Sequence, residues 1–242
     1  MVGAMIRTVL ADFRAWLAAP RLIAPALTPT LASTPVPSRQ GWRQWTTMVG
    51  LYLTGLVVIG AVLVVWQRAL HVPAPDAFRG YTGPMLAVVV LLAAPIGEEV
   101  LFRGWLTGRP RALWLLAMVI LAGLLLIAVS LHWHDQAASL GVVAAVLAAL
   151  AGWLVLRRRA DPPRWFVRGF AVWFYVSVAV FGMAHMANYP RLSWTLLPMV
   201  MPQLWAGLVF GYIRMRHGLV ASILAHACGN TAALAVALLA SH

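Results

Sequence analysis

Seven stretches of this chain are long enough and apolar enough to cross a lipid bilayer as helices. A helix needs about 20 apolar residues to span the hydrocarbon core, because each residue advances the helix axis by about 1.5 Å. Hydrophobic residues make up 62% of the 242 residues and charged residues only 10%, a composition too apolar for a soluble domain. The predicted spans cover residues 46–66, 84–106, 113–130, 139–156, 166–187, 192–213 and 219–240. The sequence therefore predicts an all-α, polytopic transmembrane helical bundle of about seven spans.

The residues that precede these spans have a different character. Apolar residues recur at helical spacing on one face, and three arginines at intervals of seven lie on another: Met5, Ile6, Val9, Leu10, Phe13 and Leu17 against Arg7, Arg14 and Arg21. This pattern predicts an amphipathic helix in the membrane interface, and Asp12 interrupts any apolar core that a signal peptide would need. Residues 22–45 contain several prolines and read as an irregular linker. We therefore expect an amphipathic helix and linker over residues 1–45 and a transmembrane domain over residues 46–242.

The arginines predict how the chain is oriented in the membrane. The chain has 18 arginines and no lysine, and its net charge is +12. With the N-terminus in the cytoplasm, three arginines fall in outer loops (Arg68, Arg79 and Arg191) and Arg103 falls within a span, so the other 14 are cytoplasmic. The positive-inside rule thus predicts an N-in, C-out topology. The positive charge does not indicate nucleic-acid binding, because the arginines are distributed between apolar spans and do not cluster on a soluble module. The all-arginine, alanine-rich composition favours a multi-pass protein of the bacterial inner membrane.

Two adjacent glutamates, Glu98 and Glu99, lie inside the second predicted span. They are the only glutamates in the chain, and the four aspartates fall in terminal or loop stretches. An ionisable side chain at bilayer depth costs about 2.5–3.5 kcal/mol on insertion scales, so it usually has a partner and a function. Arg103 lies four residues after Glu99 on the same helix face, and an ion pair would account for Glu99. Glu98 lies about 100° round the helix, and a role in proton transfer is expected for it.

Three further polar residues lie in or near apolar spans. His185 ends the apolar run of the fifth span, and His226 and Asn230 share one face of the seventh because they are four residues apart. A simpler interpretation of His185 is an interfacial histidine bonded to a carbonyl. A simpler interpretation of His226 and Asn230 is a pair that joins two helices by hydrogen bonds. Glu98 and His226 each lie ~12 Å from the cytoplasmic end of their helix, and His185 lies ~18–25 Å from its own. A tilt or a kink at Gly182 would bring the three together.

Such a cluster suits the hydrolysis of a peptide bond. A carboxylate and a histidine can together remove a proton from water, and a second histidine with an amide side chain can stabilise the resulting oxyanion. Cys228 is not expected to act as a nucleophile, because it lies 100° or more from His226 and Asn230 on their helix. As the single cysteine it also excludes an internal disulfide.

Two alternatives stay open at this point. Two histidines and a carboxylate are also a possible zinc set with water as the fourth ligand, although the H-E-x-x-H helix motif is absent. No cofactor is therefore assigned, zinc is possible, and the metal ligands are unknown. The second alternative is a non-catalytic membrane protein, such as a scaffold, an immunity factor or a proton-coupled carrier, that uses the buried carboxylates for binding or protonation.

The polar residues form three motifs: Glu98-Glu99-x-x-x-Arg103, Phe181-x-x-x-His185 and His226-x-x-x-Asn230. In this order they resemble the signature motifs of the CPBP intramembrane proteases, also called the CAAX protease or bacteriocin-processing (Abi) family. Gly207-x-x-x-Gly211 and the arginine-rich turn at 214–218 are also similar to that family. The resemblance covers about residues 84–235. The two spans at about 113–156 form an extra hairpin where the family more often has a shorter connection.

The resemblance implies a function and a role for each motif residue. It implies an intramembrane endopeptidase, glutamate-dependent or metal-dependent, that cleaves a membrane-associated peptide or protein at a cavity open towards the cytoplasm. Eukaryotic members trim prenylated C-terminal CAAX tails. By this resemblance Glu98 activates water with His185 as its partner, and His226 and Asn230 stabilise the oxyanion. The remaining motif residues support the site: Glu99, Arg103 and Phe181.

Overall fold

The fold is described from a computed structural model over residues 2–23, 39–76 and 80–240. These residues form helices joined by short turns, with no strand among them. The α-helices are α1 (Val2–Ala18), α2 (Arg39–Ala69), α3 (Gly83–Val88), α4 (Ala94–Arg103), α5 (Pro110–Ser130), α6 (Asp135–Leu156), α7 (Arg164–Arg168), α8 (Phe170–Ala184), α9 (Met201–His217) and α10 (Leu219–Ala240). A π-helical turn (Val89–Ala93) joins α3 to α4, and a 3₁₀ turn (His185–Asn188) follows α8.

Seven helical segments among the described residues are long and apolar enough to cross a membrane, which confirms the predicted all-α polytopic class. They are Gly41–Ala69, Gly83–Thr107, Pro110–Ser130, Asp135–Leu156, Phe170–Asn188, Trp194–His217 and Leu219–Leu239. The orientation of the termini stays a prediction. The prolines of the predicted linker, at positions 25, 29, 35 and 37, lie outside the described residues.

Two helix boundaries differ from those predicted. Helix α2 begins at Arg39, inside the predicted linker, and residues 39–45 form its first turns. Trp45 in this turn donates a hydrogen bond to the carbonyl of Ala221, with a distance of 2.9 Å between Nε1 and the oxygen. The predicted fifth span begins at 166, whereas the structure has the short helix α7 and a break at Gly169 before α8 begins.

Residues 104–169 form one compact unit, which contains the predicted extra hairpin. Helices α5 and α6 pack along each other through large side chains on glycines. The Trp114 ring lies where a Cβ atom on Gly152 would be, and its Nε1 donates to the carbonyl of Ala148 at 2.9 Å. Leu125 packs in the same way on Gly141. The hairpin thus has an internal interface of its own.

The second unit comprises residues 1–103 and 170–242, and helix α9 is its centre. Most of α9 is buried, from Ala206 to Met215, and it packs against α2, α8 and α10. The Gly207-x-x-x-Gly211 spacing allows the close approach of α8. A Cβ atom on Gly211 would lie 2.4 Å from Cε2 of Phe174, and one on Gly207 would lie 3.0 Å from Cγ1 of Val178. Small residues at this spacing let helix backbones approach each other in membranes.

The predicted amphipathic helix is present as α1, and its apolar face packs on the protein. The Phe13 ring lies 5.0 Å from that of Tyr212, and the Trp16 ring lies 4.7 Å from that of Phe174. Asp12 accepts hydrogen bonds from the Tyr212 hydroxyl and the Arg216 guanidinium. The face predicted to enter the lipid interface therefore contacts α8 and α9, and the position of α1 relative to a membrane stays a prediction.

Candidate active site

The two adjacent glutamates point into different surroundings, because successive residues of α4 are about 100° apart. Glu99 is fully buried. One carboxylate oxygen accepts from the Arg103 guanidinium and lies 3.0 Å from Nδ1 of His226, and the other accepts from the Ser222 hydroxyl. Every partner of Glu99 is thus a protein group, and this carboxylate holds α4 to α10.

Aromatic rings enclose the buried ion pair of Glu99 and Arg103. The guanidinium carbon of Arg103 lies 4.1 Å from the centre of the Phe181 ring and 5.6 Å from that of Phe210. A cation over an aromatic face is stabilised by the ring quadrupole, more strongly where water is excluded. Phe181, which the second motif supplies, therefore supports Arg103 directly.

Glu98 has a different environment from its neighbour. Its side chain is 29% exposed, yet its Oε2 atom is buried and has no hydrogen-bond partner among the described residues. Oε2 lies 3.6 Å from Nε2 of His185 and 3.8 Å from Nε2 of His226. These separations exceed a direct hydrogen bond, so both rings face Oε2 without bonding to it. His185 was expected to lie farther from the cytoplasmic helix ends than Glu98. The two side chains nevertheless lie close together in the structure.

The protein orients both imidazole rings. Nδ1 of His185 lies 2.8 Å from the carbonyl oxygen of Phe181, one turn earlier in α8. The His226 ring stacks on Phe210, with 5.0 Å between ring centres and an angle of 29° between planes. Since Nδ1 of each ring is engaged with a protein oxygen, Nε2 is the atom that each ring presents to Glu98.

Asn230 lies on the same face of α10 as His226 but contacts a different part of the glutamate helix. Its side-chain nitrogen donates a hydrogen bond to the carbonyl of Val90, at 2.8 Å. Val90 lies in the π-helical turn that precedes α4. The amide expected to act on an oxyanion is thus partnered with backbone in this structure.

Three residues of this region were not predicted from the sequence: Ser222, Tyr52 and Phe210, whose ring stacks on His226. Ser222 lies four residues before His226, so helical spacing could have placed it on the same face of α10. Tyr52 comes from α2, and its ring lies 4.6 Å from that of Phe210. Gly229 makes room for it, because a Cβ atom there would lie 2.4 Å from Cε1 of Tyr52. No local pattern in the sequence points to Tyr52.

The fit of the site to a metal ion can be judged from its donors. Two imidazoles and a carboxylate are suitable zinc ligands by type. Among residues 2–23, 39–76 and 80–240, however, no group of three or more His, Cys, Asp and Glu side chains is arranged so that it could hold a metal ion. No metal ligands are therefore assigned in this part of the chain.

Comparison with known proteins identifies the family. A family model described as type II CAAX prenyl endopeptidase Rce1-like matches residues 81–163 and 159–232. Searches of curated proteins and of solved structures found no match. The two matched segments together cover more than half of the chain and include all the motif residues, whereas α1 and α2 lie outside them. The resemblance predicted from the three motifs is thereby confirmed. The chain belongs to the type II CAAX prenyl endopeptidase Rce1-like family.

Proposed function

We propose that this protein is an intramembrane endopeptidase in which Glu98 activates water to hydrolyse a peptide bond of a membrane-associated peptide or protein. One observation carries the proposal: the unpartnered Oε2 of Glu98 is flanked by Nε2 of His185 at 3.6 Å and Nε2 of His226 at 3.8 Å. The family description supports a C-terminal CAAX tail bearing a prenyl group as the substrate class. The composition supports the inner membrane of a bacterium as the location.

Glu98 and His185 are suited to orient the attacking water. A carbonyl oxygen only accepts hydrogen bonds, so Nδ1 of His185 carries the proton donated to Phe181. Nε2 of the neutral ring is then an acceptor, as is the Glu98 carboxylate. The two acceptors take the two hydrogens of one water, which leaves a lone pair of its oxygen for attack on the substrate carbonyl carbon. Glu98 receives the proton as the new C–O bond forms.

His226 is suited to stabilise the oxyanion. Its Nδ1 faces Glu99, which accepts, so Nε2 becomes a donor when the ring is protonated. A preorganised donor of this kind commonly accounts for about 10²–10³-fold in rate. Collapse of the tetrahedral intermediate breaks the C–N bond, and the proton on Glu98 passes to the leaving nitrogen.

The test is cleavage of a membrane-tethered reporter by purified protein in proteoliposomes. One reporter ends in a prenylated CAAX tail, and a matched reporter lacks the prenyl group. We expect Glu98→Gln to lower the cleavage rate about 10²–10⁴-fold, the contribution of a general base. Asp161→Asn, which changes an exposed carboxylate, should cleave at the wild-type rate. A wild-type rate for Glu98→Gln would contradict the proposed role of Glu98, and no cleavage by the wild type would favour a non-catalytic membrane protein.

The same assay after treatment with a chelator tests the proposed glutamate-only chemistry. We expect the cleavage rate to stay unchanged, because the mechanism uses only this chain's own residues. A loss of activity that zinc restores would replace this mechanism with a metal-dependent one.

A further inference from the structure

The helix that carries the glutamates is irregular just before them. Residues Val89–Ala93 form a π-helical turn, and the N–H of Ala94 donates to the carbonyl of Val89, five residues back instead of four. Single π-helical turns inside α-helices are rare and are frequent near functional sites. This one ends at Ala93, five residues before Glu98.

The turn removes the α-helical and the π-helical backbone donors of the Val90 carbonyl. In an α-helix the donor would be the N–H of Ala94, but that N–H bonds to Val89. At the π-helical spacing the donor would be residue 95, which is a proline and has no N–H. Val90 is buried, so its carbonyl needs a protein partner.

The missing donor comes from another helix. The side-chain nitrogen of Asn230 lies 2.8 Å from the Val90 carbonyl oxygen, across an interface between α10 and the π-helical turn. One turn earlier on the same face, His226 contacts Glu99. A single face of α10 therefore holds the glutamate helix at its irregular turn and at its buried carboxylate.

We infer that Asn230 is a positioning residue: it substitutes for the backbone donor that Pro95 cannot supply, and so fixes the π-helical turn that sets the direction in which Glu98 and Glu99 point. This role goes beyond the proposed function, and only its activity measurement rests on that function. A π-helical turn adds one residue to the helix, so its loss would rotate the glutamates by about 100° relative to the preceding segment.

The test is a double-mutant cycle between Asn230 and Pro95. Asn230→Leu keeps the approximate size of the side chain and removes its donor, and Pro95→Ala restores a backbone N–H in reach of the Val90 carbonyl. In the wild-type background we expect Asn230→Leu to lower kcat by at least about 10²-fold with little change in KM, since even a misplacement of reacting groups by about 1 Å has an effect of this size. In the Pro95→Ala background the same substitution should lower kcat by less than about 10-fold.

A structural measurement accompanies the activity measurement. The denaturation midpoint in detergent should fall on Asn230→Leu and fall less in the Pro95→Ala background. This measurement needs no activity, so it decides the inference even if the proposed hydrolysis fails its own test. Equal losses of kcat in the two backgrounds, or an equal fall of the midpoint in the two backgrounds, would overturn the inference.

Discussion

Neighbouring residues of one helix have opposite environments in this protein. Glu99 is fully buried among Arg103, Ser222 and His226, whereas the side chain of Glu98 is 29% exposed and its Oε2 has no hydrogen-bond partner in the described part of the chain. A carboxylate whose oxygens are already engaged is poorly placed to accept a proton from water. The division between a structural and a reactive glutamate therefore follows from which protein groups each side chain meets.

This division predicts opposite effects of two equivalent substitutions. Glu99→Gln removes the negative charge that balances the buried Arg103, and breaking a buried ion pair typically costs about 3–5 kcal/mol. We expect a clear fall in the denaturation midpoint of Glu99→Gln in detergent. Glu98→Gln is the matched control and should unfold near the wild-type midpoint. A wild-type midpoint for Glu99→Gln would show that the pair contributes little to stability.

At the scale of the element, α1 belongs to the packed unit of residues 1–103 and 170–242. Its buried residues Val9, Phe13 and Trp16 recur at helical spacing, and α8 and α9 provide the rings that they contact. The hydroxyl of Tyr175 also donates to the carbonyl of Leu17. Helix α1 lies outside the segments that match the family model. Its packing therefore adds contacts to α8 and α9 that come from a part of the chain that the family model does not match.

The docking predicts a local response to loss of Trp16, which is 2% exposed. Trp16→Ala removes the ring that packs on Phe174, and truncation of a buried tryptophan typically costs about 3–5 kcal/mol. We expect faster amide hydrogen exchange across residues 2–18 and little change in α10. Trp42→Ala is the control, because Trp42 is 43% exposed. Unchanged exchange in α1 would mean that other contacts hold this helix.

At the scale of the whole molecule, two features predict the topology in a membrane. They are the number of candidate spans among the described residues and the distribution of the arginines. The seven candidate spans found in the described part of the chain place residues 39 and 240 on opposite sides of a membrane if each one crosses it. The sequence predicts 14 cytoplasmic arginines against Arg68, Arg79 and Arg191 outside.

The topology can be measured with reporter fusions. A reporter that is active only outside the cytoplasm should be active when fused to the C-terminus and inactive when fused to the N-terminus. The opposite pattern, or equal activity at both ends, would contradict the N-in, C-out prediction.

Much of the fold and part of the site could be predicted because the signals are local. Apolar length indicates the spans, and a spacing of four indicates that Arg103 faces Glu99 and that Asn230 faces the same way as His226. The π-helical turn carries no such pattern beyond Pro95, and Tyr52 carries none. The burial of α1 on the protein was not predicted, since an amphipathic face fits a lipid interface and a protein surface equally well.

The sequence by itself determined the helical class, the family and the set of polar side chains, because hydropathy and motif spacing are properties of short segments. Only the tertiary structure decided what each polar side chain meets. Ser222 reaches Glu99 across 123 positions of sequence, and Asn230 reaches Val90 across 140. Those partners depend on how separate helices pack, which no single segment encodes. Packing is what separates the buried glutamate from the one that faces two histidines.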